Sequence, residues 1–327
     1  LAPPAPFGNL TVMSHPPTSL ELALREYRAS DSFRRLFADV PAERFARVLR
    51  YGAPVGSEIE EHETIPRCMD RLKELIAGRG GTEGPLPSGT VVMARELANG
   101  CGRFDRQWHA PRGGLWLALA WADTLLPEYA RLLPLAAGTA CCEAVRLFGV
   151  PASLKWVNDL HLQGRKLGGI LCETFFGGPA RDRYHLIGIG INCNNVLFPE
   201  PLRESALSMR EALGAPVQLE DFTRVLLGLL AWHFGLVHLQ EELDLAAGKD
   251  SADPPADSLV IAAWRRLSDT PGRRVIYGYD VVRHPLYTAV AEGIDPWGGL
   301  LLRLGDKMLL TEYSGEILYQ AGGESGD

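Results

Sequence analysis

The chain has 327 residues, 46% hydrophobic and 22% charged, the balance of a soluble protein with a substantial core, built as two domains or as one large domain with a small appendage. A formal net charge of −7 argues against a large nucleic-acid-binding surface and leaves room only for a local basic loop. The longest apolar run, near residues 115–121, is far too short to span a bilayer, so no membrane partner is expected.

The opening stretch, LAPPAPFGNL, lacks the basic and apolar regions of a secretion signal. Six cysteines (68, 101, 141, 142, 172 and 193) show no C-x-x-C spacing, and a disulfide framework is not expected in a chain of this length. A cytoplasmic location is the resulting expectation.

Residues 1–58 show no strand alternation. Two short amphipathic helices are predicted there, the second entered through DVPAE with proline in its first turn. No basic helix-turn-helix is visible, so no DNA partner is expected. Residues 69–78, MDRLKELIAG, carry apolar positions at i, i+3 and i+7 and a glycine stop, which predicts a helix. GRGGTEGPLPSG follows as a loop and TVVMAREL, residues 90–97, as a strand. GGLWLALAW is the next strand, and residues 132–149 form a buried helix in which Cys141 and Cys142 pack as core. SLKWVNDLHLQGRKLGGILCETFF reads as strand, polar turn at QGRK, strand. YHLIGIGINCNN is a further strand interrupted by Gly188 and Gly190. LEDFTRVLLGLLAWHFGLVHLQEEL is a long helix, residues 246–258 a polar loop, and LVIAAWRRLSD the last helix. From Pro271 onward short strands alternate with Gly, Asp and Pro turns, the pattern of a small SH3-like β barrel. Strict βαβ alternation is missing, so the fold class is α+β: a mixed sheet with flanking helices plus the C-terminal barrel. The expected boundaries are an N-terminal helical extension at 1–58, a main domain at 59–270 and the small barrel domain at 271–327.

Three segments carry chemistry. The stretch NGCGRFDRQWHAPRGGLW, residues 99–116, places Gly100, Gly102, Gly113 and Gly114 among Arg103, Arg106 and Arg112, with Trp108 between them. Glycine-rich turns present backbone N–H groups to an anion, and arginine adds permanent, bidentate charge. Neither a P-loop nor a Rossmann fingerprint is present. In KWVNDLHLQGRKLGGIL, Lys155 and Asp159 frame Asn158 at the end of a short strand. Asn158 can read an adenine edge, Asp159 can hold Mg²⁺ beside phosphates, and Lys166 before LGGIL can put a point charge on a transferring group. In GIGINCNN, Gly188 and Gly190 mark a close approach to the strand, of a ligand or of other backbone, and Asn192 offers a hydrogen bond.

In this order the segments resemble the biotin protein ligase family, of the biotin/lipoate A/B ligase superfamily. That family carries G-R-G-R-x-x-R-x-W-x-S-P-x-G, then K-W-P/V-N-D, then K-x-x-G-I-L-x-E, then G-x-G-I-N. Here they stand as GCGRFDRQWHAPRGGLW, KWVND, KLGGILCE and GIGIN, and AEGIDPWGGLLLRLGDKMLLTEYSGEILYQ is similar to the family's small C-terminal barrel. The resemblance spans about residues 63–320. It implies a class II synthetase-like core and an ATP-dependent reaction in which biotin becomes biotinyl-adenylate and passes to the lysine of a biotin carboxyl carrier domain. ATP and Mg²⁺ are the implied cofactors, and a homodimer is left open. Carried over residue by residue, the resemblance gives Lys166, Arg103 and Asp159 catalytic roles, with Asp159 as Mg²⁺ ligand. It assigns substrate and ATP binding to Gly100, Cys101, Gly102, Arg106, Trp108, Lys155, Asn158, Gly169, Ile170, Gly188, Asn192 and Glu316.

Several positions depart from the pattern. Cys101 stands where the family usually has arginine, and Leu97 where a glutamine reaches the biotin ring. Arg67, Cys68 and Met69 stand in place of S-T-N/Q, or else Glu63 and Thr64 do if the register slips, and Gln320 replaces an arginine. The adenylation half is therefore better kept than the half that reads biotin. Lipoate or another acyl acid remains an alternative substrate, and a non-catalytic homologue that binds ligand or carrier remains an alternative class.

Overall fold

The computed structural model describes residues 18–79, 84–178, 181–249, 258–305 and 307–320. The expected polar loop at 246–258 lies mostly outside the described residues, as do residues 1–17 and the tail beyond 320.

The N-terminal segment holds three helices rather than two: α1 (Ser19–Ala29), α2 (Asp31–Arg35) and α3 (Ala42–Gly52). Thr18 and Glu21 form a reciprocal capping box that starts α1. Glu21 is buried, and its other carboxylate oxygen accepts the Ile59 N–H at 2.7 Å, tying α1 to the first strand. Leu24, Phe33 and Val48 are fully buried in the same core as the main sheet. Near Gly235 of the long helix α8 (Leu219–Ala246), α3 comes so close that a Cβ would stand 2.1 Å from the Val48 carbonyl oxygen.

The main sheet has seven strands: β1 (Ile59–Ile65), β2 (Thr90–Leu97), β3 (Leu115–Ala122), β4 (Ser153–Lys155), β5 (Asp159–Leu162), β6 (Arg165–Gly177) and β7 (Asp182–Ile191). Their order is β1-β2-β3-β7-β6-β5-β4, parallel at β1/β2 and antiparallel elsewhere, so the sheet is mixed as expected. The period of two along a strand splits its side chains between two layers. Leu115, Leu117, Leu119 and Trp121 of β3 and Ile187, Ile189 and Ile191 of β7 enter a large core. That core includes α6 (Leu133–Leu147), α8 and α9 (Leu259–Leu267). Ala118, Ala120, Tyr184 and Leu186 face the other way, onto Cys68, Met69, Leu72 and Ile76 of α4 (Cys68–Gly78). Two short helices, α5 (Pro127–Ala130) and α7 (Met209–Leu213), complete the set. Helix α8 is long and apolar enough to cross a membrane by composition, yet it is largely buried here as a core helix.

β1 carries no strand signal in sequence, because IEEHETI places three glutamates and a histidine among seven residues. As an edge strand it buries Ile59 and leaves its acidic positions largely exposed. The expected first arm of the hairpin, residues 153–162, is not one strand. It breaks at residues 156–158 into β4 and β5, which fold back on each other with Lys155 paired opposite Asp159.

The C-terminal residues form a separate antiparallel sheet of β8 (Arg274–Gly278), β9 (Tyr287–Ile294), β10 (Leu300–Arg303), β11 (Leu309–Glu312) and β12 (Glu316–Tyr319). The order is β11-β10-β9-β8-β12, a meander whose last strand returns to pair with the first. The expected closed barrel is not formed: among the described residues no ladder joins β11 to β12, and both edges stay open. Val275, Tyr277, Ala291, Leu300, Leu302 and Ile317 turn inward and join the large core. The two sheets are further linked where Trp156 Nε1 donates to the Gly298 carbonyl at 3.1 Å and its amide donates to Thr270 Oγ1 at 3.0 Å.

Candidate active site

The turn at residues 156–158 has a direct chemical result. Pairing Lys155 with Asp159 across β4/β5 puts Lys155 Nζ 3.1 Å from Asp159 Oδ2. From β6, Lys166 Nζ reaches Asp159 Oδ1 at 2.6 Å. One carboxylate thus holds two ammonium groups, one on each oxygen. Burial pushes the Asp159 carboxyl up, but the Lys166 and Lys155 charges outweigh it and hold it well below the usual carboxylate range. The arrangement concentrates positive charge that an incoming anion can meet.

Two buried polar atoms flank this triad without a partner. Asn158 Nδ2 donates to the Ile170 carbonyl at 3.3 Å, while Asn158 Oδ1 is buried and has no hydrogen bond among the described residues. Trp108 Nε1 is in the same condition. The Trp108 ring lies 5.3 Å from Lys166 Nζ, measured to its centroid, and edge-on to Trp116. An unsatisfied buried group costs about 1–3 kcal/mol, so two of them beside a cationic cluster mark a place where a polar ligand can supply the missing bonds.

The glycine-arginine loop folds back on itself. Gly102 N–H donates to the Arg106 carbonyl and Trp108 N–H to the Gly100 carbonyl, each at 2.8 Å, with Cys101 bridged to Gln107. At its tip Phe104 and Asp105 adopt left-handed backbone angles, φ 56° and 55°. Arg103 Nη1 donates to the Gly315 carbonyl at 2.6 Å, and Arg106 forks onto Glu316 at 3.0 and 2.8 Å. Arg106 also bonds Asp280, a residue that no sequence motif singled out.

The glycines of β7 do not border open space. A Cβ at Gly190 would stand 2.9 Å from Trp108 Nε1, and one at Gly188 would stand 2.8 Å from the Met69 sulfur. Both accommodate the protein's own side chains, where the sequence pointed to a ligand or another backbone. Asn192 acts on the scaffold too: its amide nitrogen faces the Lys166 carbonyl at 3.5 Å and its oxygen accepts from Asn195 at 3.0 Å. Gly169 lies beside the Lys166 tail, with Ile170 next to it as the Asn158 acceptor. Cys68, Met69 and Leu97 belong to the apolar layer under α4.

Thirteen of the fifteen expected positions thus converge on two adjoining groups, the lysine–aspartate triad and the arginine–carboxylate fork, with Gly188 and Asn192 behind them. Asp159 does not fit as a resident Mg²⁺ ligand, because each of its oxygens already faces an ammonium. Among the described residues no group of three or more His, Cys, Asp or Glu could hold a metal ion. A cleft of about 620 Å³ lies elsewhere, lined by Phe37, Glu143, Trp232, His233 and Arg266 among others, and contains none of these groups. What sets the candidate site apart is one carboxylate holding two ammonium groups with two orphaned polar atoms beside it.

The depressed Asp159 carboxyl has a measurable consequence. Its folded-state pKa lies below the unfolded value of about 3.9. The ion pairs therefore contribute in full above that pH, and their contribution is lost as pH falls through the folded value. The stability gap between the native chain and Asp159→Asn, read as urea midpoints, is expected to be constant from about pH 5 to about pH 8 and to shrink below about pH 4. A gap that widens on acidification contradicts the pairing.

Residues 80–192 match the model of the biotin/lipoate A/B protein ligase family. The bifunctional ligase/repressor BirA of Salmonella typhimurium is 38% identical over 241 residues, covering 72% of this chain and 68% of that protein. The protein of the same name from Bacillus subtilis is 34% identical over 167 residues, half of this chain and 49% of the other. For the first curated relatives the matched region spans about half of their length or less. Among solved structures, the biotin protein ligase from Aquifex aeolicus in complex with biotin and ATP shares the fold, with a TM-score of 0.61 at 22% identity over 81% of this chain and 99% of that one.

Proposed function

The chain belongs to the biotin/lipoate A/B protein ligase family, and from that premise we propose that it is an ATP-dependent biotin–protein ligase. The biotin carboxylate oxygen attacks the α-phosphorus of ATP, the bond to the β-phosphate oxygen breaks, and pyrophosphate leaves. The amine of a carrier-domain lysine then attacks the acyl carbon of biotinyl-adenylate, the acyl–oxygen bond breaks, and AMP and a proton depart. The observation that carries this reading is the triad of Lys155, Asp159 and Lys166 flanked by the orphaned Asn158 and Trp108 atoms.

In this reading Lys166 and Lys155 meet the charge that builds on the α-phosphate, and Asp159 orients both. Trp108 covers the reacting atoms and keeps water from the adenylate, with Arg103 and Arg106 supplying the loop's charge. Asn192 fixes the backbone under Lys166. Magnesium is drawn as arriving with the phosphates, not as a resident ion. The C-terminal sheet is read as an SH3-like module left open at its edges, and residues 59–270 as the catalytic body, with α1–α3 built onto its core.

A second reading concerns the acid. Cys68, Met69 and Leu97 are apolar or weakly polar and form part of one layer, so they supply few partners for a polar ring, and a shape-compatible acid such as lipoate is rejected less firmly. Pyrophosphate release measured with biotin, lipoate and octanoate in turn separates the readings. Biotin is expected to support release and to label a carrier domain, with lipoate giving a weaker signal. Release with lipoate or octanoate but not biotin reassigns the acid. ATP or biotin binding without release for any acid makes the chain a non-catalytic homologue.

A further inference from the structure

Arg106 is engaged on more than one side. Its two terminal nitrogens face both oxygens of Glu316 at 3.0 and 2.8 Å, and Nη2 makes a further, short bond to Asp280 Oδ1. A guanidinium carries five N–H donors and two edges that chelate an oxyanion, Nη1/Nη2 and Nη2/Nε. Glu316 fills the first edge, and Asp280 occupies the Nη2 side of the second. The two donors left, Nε–H and one on Nη1, are not neighbours and cannot chelate a phosphate.

Asp280 is itself held in place. Only 11% of its side chain is exposed, the Arg283 amide donates to Oδ1 at 3.3 Å, and Arg283 Nη1 stands 3.7 Å from Oδ2. It lies two residues after β8, at the start of the connection to β9, so its position comes from the C-terminal sheet and not from the loop it grips. Next in the chain to Glu316, the Gly315 carbonyl accepts from Arg103. The loop is thus docked on the C-terminal sheet through both arginines.

We propose that Asp280 is a positioning residue that masks the second edge of Arg106, and that the phosphates of ATP take this edge by displacing it. The inference rests on the reading of the site as one for ATP and biotin. A polyphosphate is the competitor this geometry selects, because a multiply charged oxyanion forms stronger bidentate bonds than a single carboxylate. Biotin, with one carboxylate of its own, has no such advantage over Asp280. The Asp280 contact therefore holds until nucleotide competes for that edge of Arg106, while Glu316 and the Gly315 carbonyl keep the loop on the C-terminal sheet.

The test compares the full-length native chain with Asp280→Asn and Asp280→Glu. Asparagine keeps an acceptor for the Arg283 amide and removes the competing charge. Asp280→Asn is expected to lower the KM for ATP in pyrophosphate release by about fivefold or more, leaving the KM for biotin within about twofold. Hydrogen exchange of the amides at 103–106, measured without nucleotide, is expected to rise in the same variant. Asp280→Glu is expected to restore native values in both. An ATP KM that is unchanged or raised, a parallel shift of both KM values, or unaltered exchange at 103–106 overturns the proposal. If the native chain releases no pyrophosphate with any acid, the ligase reading fails. The masking role is then decided by calorimetry with ATP alone, where Asp280→Asn must still bind more tightly.

Discussion

Lys166→Ala is expected to lower the rate of pyrophosphate release with biotin and ATP by about 100-fold or more. Lys166 Nζ lies 2.6 Å from Asp159 Oδ1 and 5.3 Å from the centre of the Trp108 ring, between the site's anchored carboxylate and its aromatic cover. Charge placed there acts on the transition state, where the α-phosphate gains negative character, more than on the bound ground state. The fold should survive, because Asp159 keeps Lys155 at 3.1 Å and is not left as an unpaired charge. Arginine should not restore the rate. The Lys166 tail passes so close to the backbone that a Cβ on Gly169 would stand 3.3 Å from its Cε, and a guanidinium has little room there. Steady-state pyrophosphate release with a thermal melt of each variant checks this. A Lys166→Ala protein that folds and turns over within about tenfold of the native rate removes Lys166 from the chemistry.

Gly235→Ala is expected to have a large stability effect outside the site. A Cβ at this position stands 2.1 Å from the Val48 carbonyl oxygen and 2.9 Å from its carbon, both backbone atoms that no rotamer change can move. Helices α3 and α8 must separate, which loosens the packing of Val48 and of the apolar positions around it. Overpacking of this kind costs about 3 kcal/mol. Gly78→Ala, at the end of α4, is the control: a Cβ there meets nothing within 4 Å, and alanine should be neutral or stabilising by about 0.5 kcal/mol. Urea midpoints of the two variants decide the point. Equal stability of Gly235→Ala and the native chain would show that α3 is not built into the core.

Much of the candidate site was legible because its residues lie in short contiguous motifs. Lys155, Asn158 and Asp159 fall within five residues, and Gly100 to Trp108 within nine. What the strand reading missed was the break at residues 156–158. Asn158 and Asp159 favour turns, but with no glycine or proline and apolar flanks the run reads as one strand, yet that turn is what faces Lys155 with Asp159. Asp280 was invisible for a different reason. It has no motif, and it gains meaning only because β8 ends opposite Arg106, 174 residues away in sequence.

Local composition set the strand and helix types of the core and the charged groups available for chemistry. The continuous apolar run of β3, the partial alternation of β7 and the apolar length of α8 are local properties, and they survive folding because burial rewards the same patterns. Contacts between distant segments set the remainder. They made β1 an edge strand despite its acidic composition, since one buried isoleucine and parallel pairing to β2 suffice. They brought α1–α3 onto α8 through a glycine contact that depends on two backbones crossing. They left the C-terminal sheet open, because strand closure is a pairing between β11 and β12 that neither strand encodes alone. They also turned Gly188 and Gly190 toward Met69 and Trp108, and Arg106 toward two carboxylates. Such pairings depend on where distant segments meet, and no local propensity carries that information.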